Sequence, residues 1–257
     1  SVSMRSVRLS AWILPLLAAC SEPPVEADVA PFVNPVVALT SSAIHFSDAS
    51  ARLGPGTAGA LGVAMVDYTG DGWLDVAVAG SAVRLFRGIG GGYLAQQNTP
   101  HVAAEGLEPN GLAFADVDGD GDLDLFVTSD YDYGHDTLFE NDGGGGFSDV
   151  TASSGIVGSA TAKGATFSDL DGDGDLDLYV CHGVGYGPDD PENRPATPRG
   201  EQGQTNQVWQ NDGAGHFTDV TSAWGLGGLA GGETFMAIAF DVDRDADVDL
   251  FVIHDWA

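Results

Sequence analysis

Four copies of an aspartate-rich loop carry the residues of this sequence that are best suited to chemistry. The loops open at Asp67, Asp116, Asp169 and Asp241, and each runs straight into an apolar stretch. Positions 1, 3, 5 and 9 of each loop offer side-chain oxygens, while position 7 offers its backbone carbonyl. Ca²⁺ takes about six to eight oxygen ligands from flexible loops of this kind. The sequence therefore predicts four calcium sites built into a repeated unit.

The predicted ligands occupy the same five positions in every loop. They are Asp67, Thr69, Asp71, Trp73 and Asp75 in the first loop, Asp116, Asp118, Asp120, Asp122 and Asp124 in the second, Asp169, Asp171, Asp173, Asp175 and Asp177 in the third, and Asp241, Asp243, Asp245, Asp247 and Asp249 in the fourth. Carboxylates crowded this closely repel one another strongly unless a cation lies among them. Bound metal therefore explains four such loops better than four solvated acidic turns do.

Differences between the loops rank the predicted sites. The second and third loops keep every ligand and have Gly121 and Gly174 at position 6, where a positive φ is easily reached. We expect these two loops to bind best. The first loop has Thr69 in place of a carboxylate and should be weaker. The fourth has Ala246 in place of the glycine and Arg244 beside the ligands, so the sequence leaves its occupancy open.

An EF-hand loop begins in the same way but ends differently. It closes with a bidentate glutamate at position 12 and is flanked by helices. Here position 12 is valine in all four copies, and alternating apolar residues follow position 9. That alternation indicates a strand. The EF-hand interpretation is therefore disfavoured.

A second motif repeats in phase with the loops. Its aromatic residues, Phe46, Tyr93, Phe147 and Phe217, precede the next loop by 21, 23, 22 and 24 residues. Glycine turns divide each period of about 50 residues into four short strands, which is the pattern of a β-propeller blade and not of a solenoid. The sequence predicts an all-β fold, a β-propeller of four-stranded blades with calcium-binding loops. About three and a half blades lie within the chain.

The third unit is longer than the others. The gap from loop to next aromatic residue is 26, then 31, then 48 residues. The segment 185–204, rich in proline, glycine and polar residues, accounts for the extra length. Long loops on a rigid β-scaffold often carry recognition residues. This insertion is either a ligand-contacting surface loop or an insertion with no role.

Together these residues resemble the FG-GAP or VCBS repeats of the integrin α-subunit propeller. They are most similar to bacterial relatives of cartilage acidic protein, whose blades pair a D-x-D-x-D-G-D-L-D-L loop with an N-D-G-x-G-x-F-x-D-V-T strand. Here the second motif stands as Asn141-DGGGGFSDVT and Asn211-DGAGHFTDVT, and the resemblance covers residues 44–257. It implies that each loop joins the two innermost strands of a blade. It also implies that the loop holds Ca²⁺ near one face of the propeller.

The N-terminal residues predict an export signal and a lipid anchor. Residues 1–19 combine Arg5 and Arg8 with an apolar run that ends in Leu-Ala-Ala before Cys20. This ending resembles a bacterial lipobox, whose cysteine is lipidated; a short buried helix is the alternative. Residues 20–43 predict a flexible tether, and residues 44–257 the partial propeller. The expected location is the cell envelope, as an outer-membrane or surface lipoprotein, with further blades beyond Ala257.

Charge narrows the range of partners. The chain carries 9 basic and 38 acidic residues, and loss of residues 1–19 removes two arginines, which leaves 7 against 38 and a net charge of −31. Such a chain repels the phosphates of nucleic acid. The expected partners are a protein or carbohydrate ligand and, through the lipid anchor, a membrane. Cys181, the second cysteine, is expected to be a small buried strand residue.

No residue set in the sequence predicts catalysis. The sequence contains no G-x-S-x-G, H-E-x-x-H or phosphate-binding glycine loop. His182 and His254 each follow the last loop aspartate by five residues and could share a transition metal, but two imidazoles alone make a poor site. The sequence thus predicts a calcium-binding, cell-surface β-propeller acting as a binding or adhesion module. The alternative is the scaffold portion of a secreted carbohydrate-active enzyme, a polysaccharide lyase or hydrolase.

Overall fold

The computed structural model describes residues 60–90, 94–96, 102, 109–129, 135–158, 161–183, 205–226 and 234–254. All of them belong to one compact unit, Asp48–Ala257. The predicted signal at 1–19, Cys20, the tether at 20–43, the strand around Phe46 and the insertion at 185–204 lie outside the described residues. Within the described ranges, no helix is both long enough and apolar enough to cross a membrane.

The described residues form antiparallel sheets and one short helix. The first sheet contains β1 (Gly62–Val66), β2 (Asp75–Ala79), β3 (Arg84–Gly88) and β4 (Leu94–Gln96). The second contains β5 (Pro109–Ala115), β6 (Asp124–Ser129), β7 (Thr137–Asn141) and β8 (Phe147–Asp149), followed by α1 (Thr151–Ser154). The third contains β9 (Ala162–Ser168), β10 (Asp177–His182), β11 (Gln207–Asn211) and β12 (Phe217–Asp219). The last two strands, β13 (Thr234–Phe240) and β14 (Asp249–His254), pair with each other.

Each four-stranded sheet is one copy of the same blade. Its strands pair in sequence order, and every pairing is antiparallel. The register is the same in all three sheets, because equivalent residues face one another across the second and third strands: Val76 and Phe86, Leu125 and Phe139, Leu178 and Trp209. The structure confirms the predicted all-β fold with four-stranded blades. It describes three blades and two strands of a fourth.

The core lies between neighbouring blades. Every residue of β2, β6 and β10 is buried. Successive side chains of a strand point to opposite faces of its sheet, so each of these strands contributes to two interfaces. In β6, Leu125 packs with Tyr68 of the first blade, whereas Phe126 packs with Leu178 of the third. A continuous apolar run at this position therefore reflects burial on both faces.

Glycines let the first strands of successive blades approach closely. Gly62, Gly111 and Gly164 each lie five residues before the loop of their blade. A Cβ on Gly111 would lie 2.9 Å from the carbonyl oxygen of Lys163 in the next blade, and one on Gly164 would lie 2.6 Å from that of Phe235. Any side chain here would push two blades apart.

The outer faces of the first and last sheets expose apolar side chains. Val63 and Met65 of β1 are 70% and 62% exposed, and Ile238 of β13 is 45% exposed. The residues of β5 that correspond to the first two, Leu112 and Phe114, pack against the first blade. Both exposed faces thus have the composition of a surface between blades.

Candidate metal sites in the aspartate loops

Each aspartate loop connects the first two strands of its blade and is shaped by its own carboxylates. In the second loop, Oδ1 of Asp116 accepts the N–H of Gly119 at 2.9 Å, and Oδ2 accepts the N–H of Gly121 at 3.0 Å. The third and fourth loops contain the same two bonds, with lengths between 2.5 and 3.1 Å. These loops therefore share one backbone conformation.

That conformation requires a positive φ at loop positions 4 and 6. The second loop places Gly119 and Gly121 there, with φ of 77° and 97°. In the fourth loop the same positions are Arg244 and Ala246, with φ of 68° and 77°. A residue with a Cβ in this region costs about 1–2 kcal/mol. The fourth loop thus adopts the same backbone conformation although neither position is a glycine.

The carboxylate at position 9 joins the start of its loop to the third strand. Oδ2 of Asp124 accepts the N–H of Val117 at 3.0 Å, and Oδ1 accepts that of Asn141 at 2.9 Å. Asp177 makes the corresponding bonds in the third blade. In the first blade, Asp75 accepts the N–H of Gly88 in the third strand at 2.7 Å, but its loop donor is the N–H of Thr69, at position 3, at 3.1 Å. Burial raises the pKa of Asp124 to about 6. This aspartate has a structural role whether or not a metal is bound.

Three loops bring carboxylates together at positions 1, 3 and 9. In each, one oxygen from every residue lies within 4.8 Å of the others; the groups are Asp116, Asp118 and Asp124, then Asp169, Asp171 and Asp177, then Asp241, Asp243 and Asp249. The position-5 aspartates lie outside these groups and accept the N–H of position 7, as Asp120 does from Asp122 at 2.9 Å. The carboxylates at position 7 turn elsewhere: that of Asp122 lies against Gly143 in the hairpin turn between β7 and β8.

The first loop is built differently. Thr69, at position 3, donates its hydroxyl to Oδ2 of Asp75 at 3.1 Å. Oδ2 of Asp71 accepts Nε and Nη2 of Arg87 at 3.0 and 2.8 Å. The N–H of Trp73 and the Arg87 guanidinium together lower the pKa of Asp71. Among the described residues, this loop contributes no group of three metal-binding side chains.

Two asparagines connect the loops of neighbouring blades. Nδ2 of Asn141 donates to the carbonyl of Tyr68 in the first loop at 2.8 Å and to that of Leu123 in the second at 2.9 Å. Asn211 does the same one blade later, donating to Val117 at 2.8 Å and to Leu176 at 3.2 Å. Both asparagines open the N-D-G motif, which explains why an asparagine stands there.

Two of the residues considered for other chemistry, His182 and Cys181, are buried. His182 is fully buried, and burial lowers its pKa to about 4. The side chain of His254 lies outside the described residues. Cys181 is a free, buried strand residue, as predicted, and burial raises its pKa to about 12. A thiol in that state is a poor nucleophile.

Comparison with known proteins identifies the repeat. Residues 67–127 and 116–180 each match the FG-GAP-like repeat. No curated protein sequence is significantly similar to this chain. Among solved structures, an Agrocybe aegerita lectin that recognises non-reducing terminal N-acetylglucosamine is similar at 19% identity and a TM-score of 0.39, over 73% of this chain and 45% of the lectin chain. This chain thus spans less than half the length of that lectin.

Proposed function

Because this chain is an FG-GAP repeat protein, matched over residues 67–180, we propose that it binds Ca²⁺ in its aspartate loops and acts at the cell surface as a binding or adhesion module. The main support is the cluster of three carboxylates at positions 1, 3 and 9, which is found in three loops that share one hydrogen-bond pattern. Position 5 and the carbonyl of position 7 would complete the oxygen ligands.

The chemistry of the donor set fits Ca²⁺. Every side chain in the three groups is a carboxylate, and hard cations prefer oxygen, whereas transition metals favour histidine and cysteine. Ca²⁺ binds oxygen at about 2.3–2.6 Å, so ligands on opposite sides of the ion lie about 5 Å apart. Groups whose oxygens lie within 4.8 Å of one another match that size.

The predicted export supports a role outside the cell. Calcium sites of extracellular modules have Kd values of about 10⁻⁴–10⁻³ M. The leader at 1–19 and Cys20 would deliver the propeller to the cell envelope. Detergent partitioning of the full chain and its C20S variant, expressed in a bacterial host, tests the anchor. Equal recovery in the detergent phase would contradict lipidation.

Calorimetric titration of the purified chain tests calcium binding. We expect the D118N and D171N variants each to lose one bound ion per chain, because each removes a carboxylate from a cluster. D122N and D175N are matched controls: they remove the same charge but keep the backbone carbonyl of position 7, so the ion should remain. If the position-7 variants lose the ion as well, bulk charge and not the site controls binding.

A binding module and an enzyme make different predictions for polysaccharides. Beads that carry the chain should retain a panel of polysaccharides and extracellular proteins in Ca²⁺, and should release them in chelator or with D118N/D171N. The same polysaccharides should show no new chain ends. Calcium-dependent appearance of reducing or unsaturated ends would favour the carbohydrate-active enzyme instead.

A further inference from the structure

One position on the third strand of each blade faces the aspartate loop of that blade. We name it the strand-three position; it is filled by Arg87 in β3, Glu140 in β7 and Gln210 in β11. The residue that follows donates its N–H to the position-9 carboxylate in all three blades, at 2.7, 2.9 and 3.0 Å. The three positions are therefore structurally equivalent.

Two of the three side chains bond to the loop, and the third lines a pocket beside it. Arg87 donates twice to Asp71, at position 5 of the first loop. Gln210 donates Nε2 to Oδ2 of Asp171, at position 3 of the third loop, at 2.6 Å. Glu140 lines a small pocket together with Asp118, at position 3 of the second loop.

The three side chains differ in charge, and the positive one lies in the blade whose loop lacks a carboxylate. Arg87 brings a positive charge to the loop in which Thr69 replaces a carboxylate. Glu140 brings a negative charge, and Gln210 none. A guanidinium beside the carboxylates repels an incoming cation and offsets the repulsion between them that would otherwise favour metal binding.

We propose that the strand-three position decides which loops hold calcium, with Arg87 acting as a built-in cation that takes the place of the metal in the first loop. The proposal rests on the calcium function proposed above. Binding should be tightest in the second loop, next in the third and absent in the first.

Exchange of two side chains tests this assignment. The R87Q/Q210R variant moves the arginine from the first blade to the third without changing composition or net charge. Calorimetry should show one bound ion fewer per chain than the wild type: the arginine now lies beside Asp171, while the first loop, although freed of Arg87, still lacks the carboxylate that Thr69 replaces. Q210E, a variant of nearly the same shape, should instead tighten one site about tenfold. Unchanged affinity in both variants would overturn the proposal.

The first loop can be tested separately through Trp73, which occupies its position 7. Terbium bound in this loop would be excited through that indole, and W73F identifies the signal. T69D restores the missing carboxylate; T69D/R87Q should bind terbium at least about tenfold more tightly than T69D alone. Equal binding by the two variants would show that Arg87 does not exclude the metal.

Melts in chelator separate this proposal from the calcium function itself. Without metal, Q210R should raise the melting temperature, because it supplies a cation to a loop of unpaired carboxylates, and R87Q should lower it. A wild-type chain that binds no calcium would refute the proposed function, yet these opposite shifts would still support the role of Arg87 as an internal cation. Shifts of the same sign would refute it.

Discussion

The asparagines at 141 and 211 occupy equivalent positions but make different numbers of hydrogen bonds, which allows a quantitative prediction. The amide of Asn141 donates to two carbonyls, and its Oδ1 accepts the N–H groups of Gly143 and Gly145 at 3.2 and 3.1 Å. Asn211 makes the same two donations, but its buried Oδ1 has no partner among the described residues. Asn141 therefore makes four side-chain bonds and Asn211 two.

Replacement of each asparagine by alanine should reveal this difference. A hydrogen bond contributes about 1 kcal/mol net to stability. We expect N141A to lower the free energy of unfolding by about 4 kcal/mol and N211A by about 2 kcal/mol. For a domain of this size, about 2–4 °C corresponds to each kcal/mol. The two variants should therefore differ by about 4–8 °C in melting temperature.

Urea unfolding in chelator is the appropriate assay, because it removes any contribution from bound metal. The slope of the free energy with urea must match the wild type, since a changed slope indicates a different folded or unfolded state. Equal losses in the two variants, or a larger loss in N211A, would refute the reasoning. In that case the inter-loop bonds would not determine how firmly the blades are joined.

Four further predictions concern single side chains. Y68F should raise stability by about 1 kcal/mol, because the Tyr68 hydroxyl is buried with no partner among the described residues. Y179F should lower the free energy of unfolding by about 1 kcal/mol, because the Tyr179 hydroxyl accepts an N–H of the Asn206 amide at 3.0 Å. Urea unfolding measures both variants, and the same change in stability for Y68F and Y179F would contradict both predictions. A246G should stabilise the fourth loop by about 1 kcal/mol by relieving a positive φ, and a loss of stability in thermal melts would count against strain there. G111A should destabilise by at least about 2 kcal/mol, since its Cβ would overlap the next blade; a wild-type melting curve would disprove the close approach.

Spacing alone was sufficient to predict the blades. Periodic loops and aromatic residues mark strand positions directly, because each strand of a blade begins or ends at a turn of recognisable composition. The exact start of β5 is set by an irregularity that spacing does not show: β5 begins at Pro109, and its pairing with β6 shifts before Leu112. The helix α1 was not predicted, because a single turn of four residues produces no helical periodicity.

The candidate site was predictable only in part. Residues within a loop are close in sequence, so their approach follows from local spacing. Arg87, Glu140 and Gln210 lie 12, 16 and 33 residues after position 9 of their loops, so no constant spacing identifies them as equivalent. Only the register of the third strand places them beside the carboxylates. In two of the three blades the sequence does offer a signal for this position, because Glu140 and Gln210 each come directly before an N-D-G motif.

The backbone amides around the carboxylates also affect how fast an ion can exchange. Asp116, Asp118, Asp120 and Asp124 accept N–H donors from their own loop or an adjacent strand, so hydrogen bonds within the protein define the shape of the loop. Entry then requires loss of water but no folding step, and the acidic surface steers cations inward at rates up to about 10⁸–10⁹ M⁻¹s⁻¹. With a Kd of about 10⁻⁴ M, release would take well under a millisecond. We therefore expect calcium occupancy of the loops to follow the free calcium concentration almost without delay.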